Sequence, residues 1–263
     1  MPVLPEFSLA GRVAILSTAG SDEAPFLAQA LAEAGASVFT IARRQESLDL
    51  VLQALERNHD RAPGGVVHGG IAASLATKDG VDQAMAAFDV NYPTNYGQAD
   101  ILVNDGRSML ARPFDEITPD EWDEVHSRNA KSAFLLCQAV GSRMVERGYG
   151  RVVNVISELA ERGMINGSAF AASQAVLLSL TRSMAVEWGK HNIRVNALGT
   201  GWFSSEDLPL EEQQEELLVR YTPLRRRGHP RDIGPLLVYL CSESCDYSTG
   251  QPVYVDGGLN AHP

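Results

Sequence analysis

The chain has 263 residues and a net charge of −11, from 33 Asp and Glu against 22 Lys and Arg. That surplus of carboxylates excludes non-specific nucleic-acid binding, which needs clustered cations. The length supports one well-buried core.

No run of about 18 apolar residues occurs and no charged leader opens the chain, so a soluble, cytoplasmic protein without membrane association is expected. The cysteines Cys137, Cys241 and Cys245 lie in apolar or helix-like surroundings that suit buried thiols in a reducing compartment. No Cys and His spacing suggests a metal.

In chain order, short β-branched runs alternate with longer helical patterns. The runs are Val13 to Leu16, Ser37 to Ala42, Val66 to His68, Ile101 to Val103, Arg151 to Ile156, Arg194 to Leu198 and Val253 to Val255. They are nearly continuous in apolar residues, as parallel strands buried on both faces are. The alternation predicts βαβ units and one doubly wound α/β domain over 1–263, with a parallel seven-stranded sheet and helices on both faces. Thr118-Pro119-Asp120-Glu121 reads as a capping box that opens a helix to about Arg147. Residues 58–65 and 200–215 read as loops, the second long enough to be a substrate lid.

Several segments together carry a family resemblance. Phe7 to Ala14, Asn192 to Ala197, Pro223 to Gly228, Thr249-Gly250-Gln251 and Val255-Asp256-Gly257-Gly258 resemble, in order and spacing, the short-chain dehydrogenase/reductase (SDR) superfamily. The resemblance covers nearly the whole chain and implies a Rossmann-type domain. Ser157 stands 13 positions before Phe170, as the family's catalytic serine stands before its tyrosine, and Asn129 falls at the family's helix-bending asparagine.

Against that register the chemistry-bearing positions differ. The family's Tyr-x-x-x-Lys is Phe170 and Gln174 here, so neither an ionisable phenol nor an ammonium is present. Ser17 to Ala24 align with the glycine-rich phosphate loop, which places Thr18, Asp22 and Ala24 at the three glycine positions. Glycines there let amides approach a pyrophosphate at a helix start. Two carboxylates, Asp22 and Glu23, would each oppose a phosphate by about 4 kcal/mol at ~4 Å and an effective dielectric near 20; they also suit a helix's first turn. Asn104-Asp105-Gly106-Arg107 replaces the family's Asn-Asn-Ala-Gly. Arg43 and Arg44 point the other way, because basic residues after strand two meet the 2′-phosphate of NADP in the family.

Candidate catalytic residues are therefore Ser157, Asn129, Glu158 and Asp105. Ser157 can hold a substrate oxygen, and Glu158 can act as acid or base if burial raises its pKa. Adjacent strand residues face opposite sides, so the two pair only if the strand has already ended. Asp105 follows a strand's carboxyl end, where α/β sheets place ligands; a turn cap is its plainer role. His126, three residues before Asn129, is a further histidine near the site, with a core or solvent-facing place as the simpler reading. Candidate substrate contacts are Phe170, Gln174, Thr200, Trp202 and Phe203.

Asn104-Asp105, Ala197 to Phe203 and Ser244 to Tyr247 are also similar to stretches of the halohydrin dehalogenases, SDR relatives that use no nucleotide. Phe170 and Gln174 stand where that group has tyrosine and arginine.

The expectation from this comparison is non-redox, nucleotide-independent chemistry on a small organic substrate: addition or elimination of a lyase or halohydrin dehalogenase-like kind, or hydrolysis, with no cofactor. One alternative is an NADP(H)-dependent SDR oxidoreductase with relocated acid chemistry. Thr18, Asp22, Ala24, Arg43 and Asn104 then stand at the cofactor positions. Another is a non-catalytic SDR partner subunit. The resemblance also implies a homodimer or homotetramer, or a hetero-oligomer with another SDR chain, built on the helices that begin near Thr118 and Gly167.

Overall fold

In a computed structural model, which describes residues 5–57, 65–93 and 98–261, seven parallel strands form one sheet. The chain runs β1 (Val13–Thr18), α1 (Ala24–Glu33), β2 (Ser37–Ala42), α2 (Gln45–Arg57), β3 (His68–Ala72), α3 (Lys78–Asn91) and β4 (Ile101–Asp105). It continues through α4 (Pro119–His126), a π turn (Ser127–Lys131), α5 (Ser132–Arg147), β5 (Gly150–Ser157), α6 (Ser168–Trp188) and β6 (Ile193–Thr200). The last elements are α7 (Leu210–Gln213), α8 (Leu217–Tyr221), α9 (Gly234–Cys241) and β7 (Pro252–Val255).

Each central strand feeds two cores by alternation. Ala14 and Leu16 pack with α1, α2 and α9, whereas Val13 and Ile15 pack with α3 and α5 on the other face. Both sets are almost wholly removed from water, and each large aliphatic side chain so buried contributes about 1.5–3 kcal/mol. The sheet order β3-β2-β1-β4-β5-β6-β7 reverses between β1 and β4. That switch point is where doubly wound sheets leave a crevice above their carboxyl ends. The predicted doubly wound, Rossmann-type domain is thus the observed fold.

Some boundaries differ. β3 is not Val66 to His68 but runs from His68 through Gly69 and Gly70. A Cβ on Gly70 would meet the Thr40 carbonyl at 2.5 Å and Leu48 at 2.6 Å, so close approach to β2 and α2 selects glycine over the β-branched pair. The helix expected from Thr118 to Arg147 does open on a capping box, with Thr118 and Glu121 bonding each other's backbone. It is interrupted by the π turn that carries Asn129. Residues 200–215 include the short α7, and residues 58–64 lie outside the described residues.

Among the described residues, one helix, 168–191, has the length and composition to cross a membrane. Its Leu177, Leu178 and Ala185 are buried in the domain cores.

Candidate active site

Strand register brings the site together. Thr18 of β1 stands beside Asp105 of β4, and Ser157 of β5 beside Thr200 of β6, so four polar residues share the sheet's carboxyl edge.

β5 ends at Ser157 and a 3-10 turn, Glu158–Ala160, follows immediately. The strand alternation no longer separates the two side chains. Ser157 Oγ donates to Glu158 Oε2 at 3.0 Å and accepts the Leu159 amide at 3.2 Å. Burial raises the Glu158 pKa, against the opposing hydrogen bonds and the Arg162 charge.

Behind them lies α6. Gln174, fully buried, accepts the Ser157 amide through Oε1 at 3.1 Å, and Phe170 one turn earlier is also buried. Asn129 spends its polar atoms on structure. Its Oδ1 accepts the Ser108 amide at 2.8 Å, and its Nδ2 donates to the Ser108 carbonyl at 3.0 Å and Ser173 Oγ at 2.9 Å. The π turn thereby ties the loop after β4 to α6 through Ser173.

Asn104 points into the sheet interior, where Nδ2 donates to Asn154 Oδ1 at 2.9 Å, and Asn154 donates to Thr181 at 2.8 Å. His126 packs against Trp122 with its ring tilted and the centroids 4.3 Å apart, and burial lowers its pKa. Trp202 donates its indole N–H to Glu216 at 3.1 Å, and Phe203 packs toward the α1 and α9 core. With Thr222 and Asp256, these two aromatics line a cavity of about 90 Å³.

Arg107 is a site residue that the sequence reading passes over. Its Nε donates to Asp105 Oδ1 at 2.7 Å and its Nη1 to Thr200 Oγ1 at 2.6 Å, while Nη2 lies 3.3 Å from Glu23 Oε2. The guanidinium therefore spans the crevice from β4 to β6 and to the start of α1. Burial works against its charge, but Asp105 and Glu23 outweigh that and raise its pKa. Asp105, wholly buried, also accepts from Thr18 at 3.3 Å and from Ser21. The signal available in the sequence is charge balance: a cation appears two residues after Asp105, in a crevice that has gained Glu23.

A dinucleotide fits the two halves of this crevice differently. Above β1 and β2, a cavity of about 310 Å³ is lined by Thr18, Ile41, Arg43, Ala73, Asp105 and Arg128, among others. Arg43 is exposed, and burial followed by repulsion from Arg128 and Arg44 lowers its pKa. Arg128 pairs with Glu124, which also lines this cavity, and the Arg43 and Arg128 guanidiniums together favour an anion such as a phosphate there. The other half is crossed by Glu23 and Arg107. A bound dinucleotide is accommodated there only with those side chains rearranged.

A family model described as enoyl-(acyl carrier protein) reductase matches residues 24–260. The chain is 31% identical over 261 residues to gluconate 5-dehydrogenase of Gluconobacter oxydans, covering 96% of each chain. It is 31% identical over 259 residues to 5-keto-D-gluconate 5-reductase of Escherichia coli, covering 96% of this chain and 97% of that one. A crystal structure of a gluconate 5-dehydrogenase from Burkholderia cenocepacia, in complex with NADP and tartrate, superposes with a TM-score of 0.84 at 28% identity and 98% coverage of both chains.

These findings overturn the expectation of nucleotide-independent, non-redox chemistry, with its lyase and halohydrin dehalogenase-like readings and its absence of a cofactor. The relatives are dehydrogenases and reductases along their whole length, and the solved neighbour holds NADP. The physical reason lies in the loop after β1. Asp22 is exposed to solvent and the Glu23 carboxylate is paired with Arg107, so the two are not the pair of unmatched charges facing a phosphate that the sequence suggests. The full-length match, the parallel sheet in this order and the serine at the end of β5 lead to one assignment: the chain belongs to the short-chain dehydrogenase/reductase superfamily.

Proposed function

We propose that the protein is an NADP(H)-dependent SDR oxidoreductase with relocated acid chemistry, a divergent member in which Phe170 and Gln174 stand at the Tyr and Lys positions. The observation that carries this reading is the Ser157–Glu158 hydrogen bond at the end of β5, beside Thr200. A small hydroxy or keto acid of the gluconate kind is the substrate class, from the relatives' names.

Arg43 and Arg128 hold the adenosine phosphate of the cofactor. A nicotinamide cofactor held in the crevice would supply the hydride for reduction of a substrate carbonyl. Ser157 donates a hydrogen bond to the carbonyl oxygen. Glu158, whose pKa burial raises, is the proton source: with substrate bound it donates to Ser157 Oγ in place of accepting from it, the Ser157 proton passes to the carbonyl oxygen, and Glu158 regains a proton from solvent. In the alcohol-oxidation direction the Glu158 carboxylate takes the proton back. Gln174 fixes the Ser157 backbone, and buried Phe170 keeps water from that side. Residues 200–215, with Thr200 and Trp202 at their start, close over the substrate as its lid.

The half-exposed Phe134 and Val176 flank a surface cleft between α5 and α6, which supports self-association as a dimer or tetramer, or pairing with another SDR chain. The three free, buried cysteines support a cytoplasmic setting.

The test is titration of the purified protein with NADPH and NADH by calorimetry, then NADPH oxidation in the presence of 5-keto-D-gluconate and other keto acids. NADPH binding with turnover of a keto acid supports the reading. No NADPH binding overturns it.

A further inference from the structure

In a glycine-rich loop, backbone amides at a helix start receive the pyrophosphate. At the start of α1 in this chain those donors are absent or engaged. The Ala24 amide donates to the Ser21 carbonyl, Pro25 has no N–H, and the Phe26 and Leu27 amides donate to the Glu23 carbonyl. Glu23 is the N-cap of the helix, and its carboxylate is the anion nearest this end. It lies against Arg107, whose side chain is only 10% exposed: Nη1 donates to Glu23 Oε1 at 3.4 Å, whereas Nη2, 3.3 Å from Oε2, makes no hydrogen bond. A buried guanidinium N–H that is ion-paired yet without a hydrogen bond is a donor held ready for a better-placed acceptor.

We infer that Arg107 is the pyrophosphate-binding residue of this chain, with the Glu23 carboxylate as its internal occupant. Arg107 takes over the task of the missing amide cradle. On nucleotide entry, the Arg107–Glu23 contact is exchanged for an Arg107–phosphate contact, while Asp105 keeps Nε and holds the guanidinium at the crevice. This rests on the proposed NADP(H) reading and adds a residue to it. The direction of one effect separates the inference from mere obstruction. If Arg107 only blocks the crevice, its removal tightens nucleotide binding; if it binds phosphate, its removal weakens it. Loss of the Glu23 charge tightens binding in both cases.

The experiment is calorimetric titration of wild type, Glu23→Gln, Arg107→Ala and Arg107→Lys with NADPH and, separately, with adenosine 2′-monophosphate, which reaches the Arg43 and Arg128 end alone. Thermal unfolding of each variant verifies that it is folded. The expected result is NADPH binding weakened about tenfold or more in Arg107→Ala, in part restored in Arg107→Lys, and tightened about tenfold in Glu23→Gln, with adenosine 2′-monophosphate unaffected throughout. NADPH binding that is unchanged or tighter in Arg107→Ala overturns the role of Arg107 while leaving the proposed function standing. Should Arg107→Ala fail to fold, an unchanged NADPH affinity in Glu23→Gln overturns the exchange. Absence of NADPH binding in every folded form removes the proposed function and this inference together.

Discussion

The Ser157 hydroxyl lies 3.0 Å from Glu158 Oε2 and donates to it, although the two residues are adjacent in sequence. The contact exists because β5 stops at Ser157 and the chain turns at once. It gives a sheet edge without the tyrosine a carboxyl group that can hold and release a proton.

On the proposed function, carbonyl reduction, which would need Glu158 protonated, should lose rate as pH rises through its raised pKa. Alcohol oxidation, which would need the carboxylate, should gain rate over the same range. The stability linkage has the same sign as reduction. The folded pKa exceeds the unfolded one, so this group's contribution is fully present below the ordinary carboxylate pKa and is lost as pH rises through the raised value. Glu158→Gln removes both dependences, which pH–rate profiles and urea midpoints at several pH values will show.

Phe170→Tyr adds a phenol on the face of α6 whose Gln174 touches Ser157. In a Glu158→Gln background this change should restore part of the lost reduction, by roughly tenfold or more, since a positioned acid contributes about 10²–10⁴. Steady-state assays of the single and double variants measure it. The companion change Gln174→Lys removes the acceptor of the Ser157 amide and places a charge in a fully buried position, so it lowers stability.

Arg43→Ser should weaken NADPH binding by about tenfold, the worth of one charged hydrogen bond, and leave NADH binding nearly unchanged. Titration with both nucleotides checks the difference.

Arg151 is fully buried on β5 and donates to the Ser242 and Gly150 carbonyls at 3.3 and 3.2 Å. It also meets Glu243 at 3.1 Å and Asp246 at 3.3 Å, and its guanidinium stands 4.8 Å from the Tyr149 ring centroid. Arg151→Ala should destabilise by about 3 kcal/mol through the cavity and the lost bonds. The two carboxylates are half exposed, so the ion pairs themselves add little. The urea midpoint should fall with an unchanged m-value.

Strand positions were legible where apolar residues run on, as in Ser37 to Ala42, which are β2 to the residue. They were not legible at β3, where tight packing selects Gly70 and Gly69 stands beside it, residues of poor strand propensity. The serine at the end of β5 was readable from its spacing to Phe170. The pairing of Ser157 with Glu158 depended on where the strand ends, which boundary signals fix only to a few residues. Asp22 and Glu23 read as equivalent charges, yet one faces solvent and the other faces Arg107, a contact 84 positions away in the chain that local pattern does not encode.

The central claim is that Glu158 supplies the proton in a nicotinamide-dependent reduction, and kcat for keto-acid reduction in Glu158→Gln under saturating NADPH tests it most directly. A fall of about 10²–10⁴ in kcat with NADPH affinity retained is the predicted result. Turnover equal to wild type with the same NADPH affinity would contradict it and place the proton donor elsewhere.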